Sequence, residues 1–90
     1  MALSQNVYTV GTSAVKVSPT DTFTSATIVI QNNHGSNIVY IGDSTVTSSS
    51  YGVQLSTGAS VSLDNLSMGM AVYAISSGAS TPVSVLAITR

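Results

Sequence analysis

Few residues in this 90-residue chain can do chemistry. They are one histidine, three aspartates, one lysine, one arginine and a surplus of hydroxyls. Gly42-Asp43-Ser44 sets a serine beside a carboxylate just after a β-branched run. A serine so placed can attack an ester if other loops supply a base and an oxyanion hole. His34 is the only candidate base, and a chain this short leaves little room for a pocket. Asp and Ser at a strand end commonly bond back to nearby amides, so the tripeptide reads as a turn. No enzyme activity is expected. A metal would need several converging ligands. His34 sits in a polar turn beside Gly35, and Asp21 and Asp64 read as separate turn residues. Neither a metal nor a cofactor is expected.

The composition excludes further classes. Without cysteine there is no disulfide framework, Cys-based zinc site or thiol redox centre. A net charge of −1 cannot neutralise several phosphates, so no nucleic-acid partner is expected. Helix surfaces draw on Glu, Lys, Arg and Ala, yet charged residues make up only 6% of the chain. A helical bundle is therefore not expected. At 43% hydrophobic, the chain is too apolar for disorder. No apolar run approaches 18 residues, so no membrane-spanning helix is expected. The first residues, Met1 to Asn6, show neither a basic nor an apolar stretch of signal-peptide type. The sequon Asn65-Leu66-Ser67 carries no weight where 28 of 90 residues are Ser or Thr.

What must position these residues is a set of short strands. Val, Ile and Thr supply 29 β-branched residues, grouped in runs between Ser, Asn and Gly clusters. The runs are 6–10, 14–17, 26–32, 37–41, 53–55, 59–63, 70–75 and 83–88. They predict an all-β fold, a small antiparallel β-sandwich of about eight short strands, as one domain over 6–90. Residues 1–5 are set apart as a possible N-terminal arm. Asn33-His34-Gly35-Ser36 predicts a hairpin between 26–32 and 37–41. Ser56-Thr57-Gly58 predicts a second, and Ser76-Ser77-Gly78-Ala79 joins the last two runs. Residues 43–52 read as a loop, and Asp64-Asn65-Leu66-Ser67 as a turn.

Side-chain parity carries the functional reading. The run 59–63 has one apolar face, with Ala59, Val61 and Leu63 opposite Ser60 and Ser62. Four other runs have two. Ile28 and Ile30 oppose Val29. Val39 and Ile41 oppose Ile38 and Tyr40. Met70 and Val72 oppose Tyr73 and Ile75, and Val83 and Val85 oppose Leu86 and Ile88. A sandwich has one interior, so a strand in it needs one apolar face. The surplus predicts contact with other subunits, since obligate interfaces resemble a domain core cut in half. Scarce charge fits, because charge is depleted from interface cores. The candidate interface residues are Ala2, Leu3, Tyr8, Val29, Ile38, Tyr40, Tyr51, Met68, Met70, Tyr73, Leu86 and Ile88. Tyr8, Tyr40 and Tyr73 suit either a core or an interface. Tyr51 either packs down on the domain or makes an exposed contact.

The segments Asn37-Ile38-Val39-Tyr40-Ile41-Gly42-Asp43-Ser44-Thr45-Val46-Thr47, Gly52 to Leu63 and Val72-Tyr73-Ala74-Ile75-Ser76 resemble small virion structural proteins of tailed bacteriophages, of the head decoration or cement type. The likeness covers roughly residues 26–88 and consists of strand and turn pattern, with no catalytic signature. It implies a β-sandwich, jelly-roll-like in some members, on the outer surface of a capsid. The implied partners are further copies of the chain, as a trimer first and a dimer second, and the major capsid protein. An N-terminal arm would hook a neighbour, and assembly would follow synthesis in the host cytoplasm. The alternative expectation is a tail-fibre or receptor-binding module.

Overall fold

The computed structural model describes residues 2–19, 24–67 and 70–90, with Ala2 as backbone only. Eight strands form: β1 (Ala2–Val10), β2 (Val15–Lys16), β3 (Ser25–Asn32), β4 (Val39–Gly42), β5 (Val53–Leu55), β6 (Ser60–Ser67), β7 (Tyr73–Ser76) and β8 (Thr81–Thr89). They make two four-stranded antiparallel sheets, ordered β1-β8-β3-β6 and β2-β7-β4-β5. The expected all-β sandwich is what the chain forms.

Connectivity departs from the simple hairpins expected. β3 and β4 lie in different sheets, as do β5 and β6, and β7 and β8. The turns at 33–38, 56–59 and 77–80 carry the chain across the sandwich. Among the described residues, only β4 and β5 are consecutive strands paired in one sheet, through residues 43–52. The remaining pairs are distant in sequence, such as β1 with β8 and β2 with β7. Turn chemistry reverses the chain without dictating which sheet receives the next strand, so local signals read these corners as hairpins.

The core is the alternation of β3 and β8 made solid. Ala26, Ile28 and Ile30 point inward with Val83, Val85 and Ala87, against Val39, Ile41, Leu55 and Ala74 of the other sheet. The β-branched side chains suit a pleated surface buried on one side. β6 stays in register by a bulge: Asp64 and Asn65 together oppose Thr27. Asn65 adopts φ 57°, a left-handed conformation that Asn tolerates well. The bulge lets Leu63 and Leu66 both face inward although three residues apart. The expected turn at 64–67 is thus a kink within a strand.

At the corner where β3 ends, Asn32 is fully buried. Its Nδ2 donates to the carbonyls of Asn37 at 2.8 Å and Leu55 at 3.0 Å, and its Oδ1 accepts from the His34 amide at 2.9 Å. Asn37 Nδ2 in turn donates to Thr81 Oγ1, which lies 2.6 Å from Ser76 Oγ. These bonds tie three sheet crossings to one another. No buried side-chain nitrogen or oxygen among the described residues lacks a partner, as a close-packed interior requires.

Residues 2–5, set apart above as an arm, continue β1 here. Ala2 pairs with Thr89, Leu3 with Ile88, Ser4 with Ala87 and Gln5 with Leu86.

Candidate interaction surface

The strand register places the surplus apolar side chains. On the outer face of the β1-β8-β3-β6 sheet, Leu3 lies beside Ile88, and Leu86 beside Val29. Val7 stands one row on, opposite Ser84. Leu3 and Val7 are 69% and 68% exposed and Leu86 is 43% exposed, while Val29 and Ile88 are half-buried by neighbours on the same face. Between them, Gln5, Val7, Ser84 and Leu86 border a groove of about 410 Å³. No described charged side chain lies within the patch, and exposed Asp64 of β6 borders it beside Thr27. Arg90 sits at its rim, bonded through Nη1 to Thr27 Oγ1 at 3.2 Å. Four candidate residues, Leu3, Val29, Leu86 and Ile88, are therefore brought together on one surface.

Val7 was missed by parity reasoning, and Tyr8 explains why. A strand reading Asn6-Val7-Tyr8-Thr9-Val10 offers Tyr8 and Val10 on one face and Val7 alone on the other. The structure puts Tyr8 against the core, paired with Val83, so Tyr8 takes the core alternative and the lone valine faces outward.

The second sheet treats its outer face differently. Tyr40 pairs with Ile75 and with Gln54. The Tyr51 ring packs on Tyr40 at a centroid separation of 4.8 Å, and its hydroxyl donates to Gln54 Oε1 at 2.9 Å. Tyr51 thus folds back onto its own domain, though 43% of it stays exposed. With Tyr51 above it, Tyr40 is half-buried within its own chain. Tyr73 is half-buried opposite Lys16 and Gly42. Ile38 precedes β4 and is also half-buried, its backbone held by Ser77 on both sides. Met70 is 55% exposed, beyond the end of β6. Met68 and Asp21 lie outside the described residues, and of Ala2 only the backbone is described.

The residues weighed for chemistry are spread out. His34 and Ser44 lie at opposite ends of β4. The Nδ1 lone pair of His34 accepts from the amides of Ser36 at 3.0 Å and Asn37 at 2.8 Å, so His34 folds its own turn. Asp43 Oδ1 accepts from Thr45, the amide at 2.9 Å and the hydroxyl at 2.6 Å. These bonds favour the charged carboxylate and hold Asp43 below the ordinary aspartate range, the hydroxyl contributing most. Thr47 closes the rest of the loop by exchanging backbone bonds with Ser50. Val46 anchors the loop, buried against Gly42. The described residues contain no cluster of three or more metal-ligating side chains. Compared with known proteins, the chain matches no family model, no curated protein and no solved structure.

Proposed function

We propose that this chain is a structural subunit of a tailed-phage virion, of the head decoration type, that binds the outer surface of a capsid shell and stabilises it. Its work is binding rather than chemistry. The observation that carries the reading is the outer face of the β1-β8-β3-β6 sheet, where Leu3, Val7 and Leu86 are exposed on a molecule with almost no charge. Exposed apolar patches on small domains mark interaction sites. Roughly 800 Å² of apolar burial would supply about 20 kcal/mol gross, much of it offset by association costs. Repeated over symmetric sites, such contacts resist shell expansion, because every opened seam breaks them. The strand order β1-β8-β3-β6 and β2-β7-β4-β5 supports reading the sandwich as a jelly roll, an architecture that capsid proteins use.

The test is sedimentation of purified protein with washed, tailless heads of the virus that carries the gene. Saturable retention of the wild type, lost in Leu86→Lys, is the expected result. No retention would overturn the reading.

One observation favours the tail-fibre alternative. Gly42, Asp43, Thr45, Ser50 and Tyr51 line a polar hollow of about 260 Å³ beside an exposed aromatic ring, an arrangement suited to a sugar. Glycan binding that Tyr51→Ala abolishes, with no retention on heads, would favour that role.

A further inference from the structure

We infer that two copies of this chain join through the free edge of β1, antiparallel about a two-fold axis, so that two four-stranded sheets become one sheet of eight. The four sheet edges are protected unequally. A free edge offers unpaired N–H and C=O groups to any other strand, and proteins blunt such edges with charge, proline, bulges or short length. β2 is two residues long and carries Lys16. β5 is three residues long. β6 has the bulge at Asp64-Asn65, with a carboxylate on it. β1 has none of these. It runs nine residues from Ala2 to Val10 without charge or proline, and it pairs with β8 in unbroken register throughout. Among the described residues, no backbone group outside β8 pairs with β1. Its outward side chains also include the two most exposed large hydrophobics among the described residues, Leu3 and Val7.

The occupant that fits this edge is the same edge of another copy. An antiparallel pair about a two-fold axis matches residue i to residue j and j to i. Centred on Gln5, the pairing sets Leu3 opposite the partner's Val7, Val7 opposite the partner's Leu3, and the two Gln5 amides face to face. Ser4 then meets the partner's Asn6 on the inner side, polar against polar. Centred on Asn6 instead, Leu3 would oppose Thr9 and Val7 would oppose Gln5, so neither exposed apolar side chain meets an apolar partner. Cross-strand pairs of like character favour the Gln5 register. One self-matching edge closes at two subunits, the second of the two oligomers that the resemblance implies. The union also merges the two outer faces into one apolar surface. The dimer itself rests on the edge and not on what that surface binds.

The experiment exploits the absence of cysteine. In the Gln5 register the two Gln5 Cα atoms stand about 4.5–5.5 Å apart, within disulfide reach. The two Asn6 Cα atoms are diagonal neighbours at about 7–8 Å, beyond it. Mild oxidation of Gln5→Cys is expected to give a covalent dimer on a non-reducing gel, and Asn6→Cys little. The wild type should show a native mass twice 9.1 kDa. Val7→Lys and Leu3→Lys, both on exposed positions, should keep the circular dichroism spectrum. Each should raise the dissociation constant about tenfold or more, because each paired contact is lost twice. Ser60→Lys on the β6 edge should leave the dimer unchanged. A wild-type monomer, or an oligomer insensitive to both lysine variants, overturns the inference, and cross-linking through Asn6 in preference to Gln5 overturns the register. A dimer that fails to bind heads would leave this inference standing and remove the decoration role.

Discussion

The Asn32 carboxamide, at the end of β3, donates to the Leu55 carbonyl of the opposite sheet at 3.0 Å, with no exposure to solvent. The same side chain also serves Asn37 and the His34 amide. Asn32→Ala leaves two carbonyls and one N–H without their partner. The Leu55 carbonyl is buried and costs about 1–3 kcal/mol unpaired, and the part-buried Asn37 carbonyl and His34 amide cost less each, so the total is roughly 3 kcal/mol. In a domain of this size that lowers Tm by about 15 °C. Calorimetry of the variant checks it, and a loss below a few degrees would show that the two sheets hold together without this bridge.

Three glycines should respond differently to alanine, for separate reasons. At Gly78 a Cβ would meet Asn37 Nδ2 at 2.7 Å and Cγ at 3.0 Å. Asn37 is held by its bond to Thr81, so Gly78→Ala should cost about 1–2 kcal/mol through overpacking. At Gly58 there is open space but φ is +76°, so Gly58→Ala should cost about 1 kcal/mol through backbone strain alone. At Gly35 a Cβ meets nothing within 4 Å, and Gly35→Ala should be neutral or stabilising by up to about 1 kcal/mol. Urea titration of the three variants checks the order.

The eight strands were legible because β-branched runs and their Ser, Asn and Gly boundaries report local backbone preference. The inward sets Ile28 and Ile30, Val39 and Ile41, and Val83 and Val85 followed from period-two parity. Strand order was not legible. It is decided by β1 meeting β8 and β3 meeting β6, contacts between residues tens of positions apart that no turn encodes. The bulge at Asn65 was hidden for a related reason, since a left-handed Asn looks alike in a turn and in a kinked strand. The apolar surface was half legible. Val29, Leu86 and Ile88 were visible as the wrong parity for a one-sided strand. Val7 needed knowledge of which face of β1 was inside. On the other sheet, Tyr40 and Ile75 looked equally surplus, and only the fold of the 43–52 loop brings Tyr51 down over Tyr40.

Tyr51 separates loop packing from surface recognition. Tyr51→Phe keeps the ring on Tyr40 and loses one exposed hydrogen bond, so stability should change by less than about 0.5 kcal/mol. Tyr51→Ala removes the ring pair and uncovers Tyr40, at a cost of about 1 kcal/mol. The chain has four tyrosines and no tryptophan, so tyrosine fluorescence during urea unfolding reports both variants. Equal losses in the two would place the stabilisation in the hydroxyl bond to Gln54 rather than in the rings.

Asp43 makes the 43–52 loop sensitive to acid. Its folded-state pKa lies below the unfolded one, because Thr45 donates its hydroxyl and its amide to the carboxylate. A depressed carboxylate adds stability above the unfolded pKa and loses it as pH falls through the folded value. The wild type should therefore exceed Asp43→Ala in Tm at neutral pH, and the gap should shrink in acid until both carboxyl groups of the comparison, folded and unfolded, are protonated. Asp43→Asn keeps an oxygen that accepts from Thr45, so its Tm should fall between the two at neutral pH, and its difference from Asp43→Ala should not vary with pH through this group. Thermal melts of the three proteins from neutral to strongly acid pH carry the test. A gap between wild type and Asp43→Ala that stays constant into acid would mean that the Thr45 bonds do not distinguish the charged carboxylate from the neutral acid.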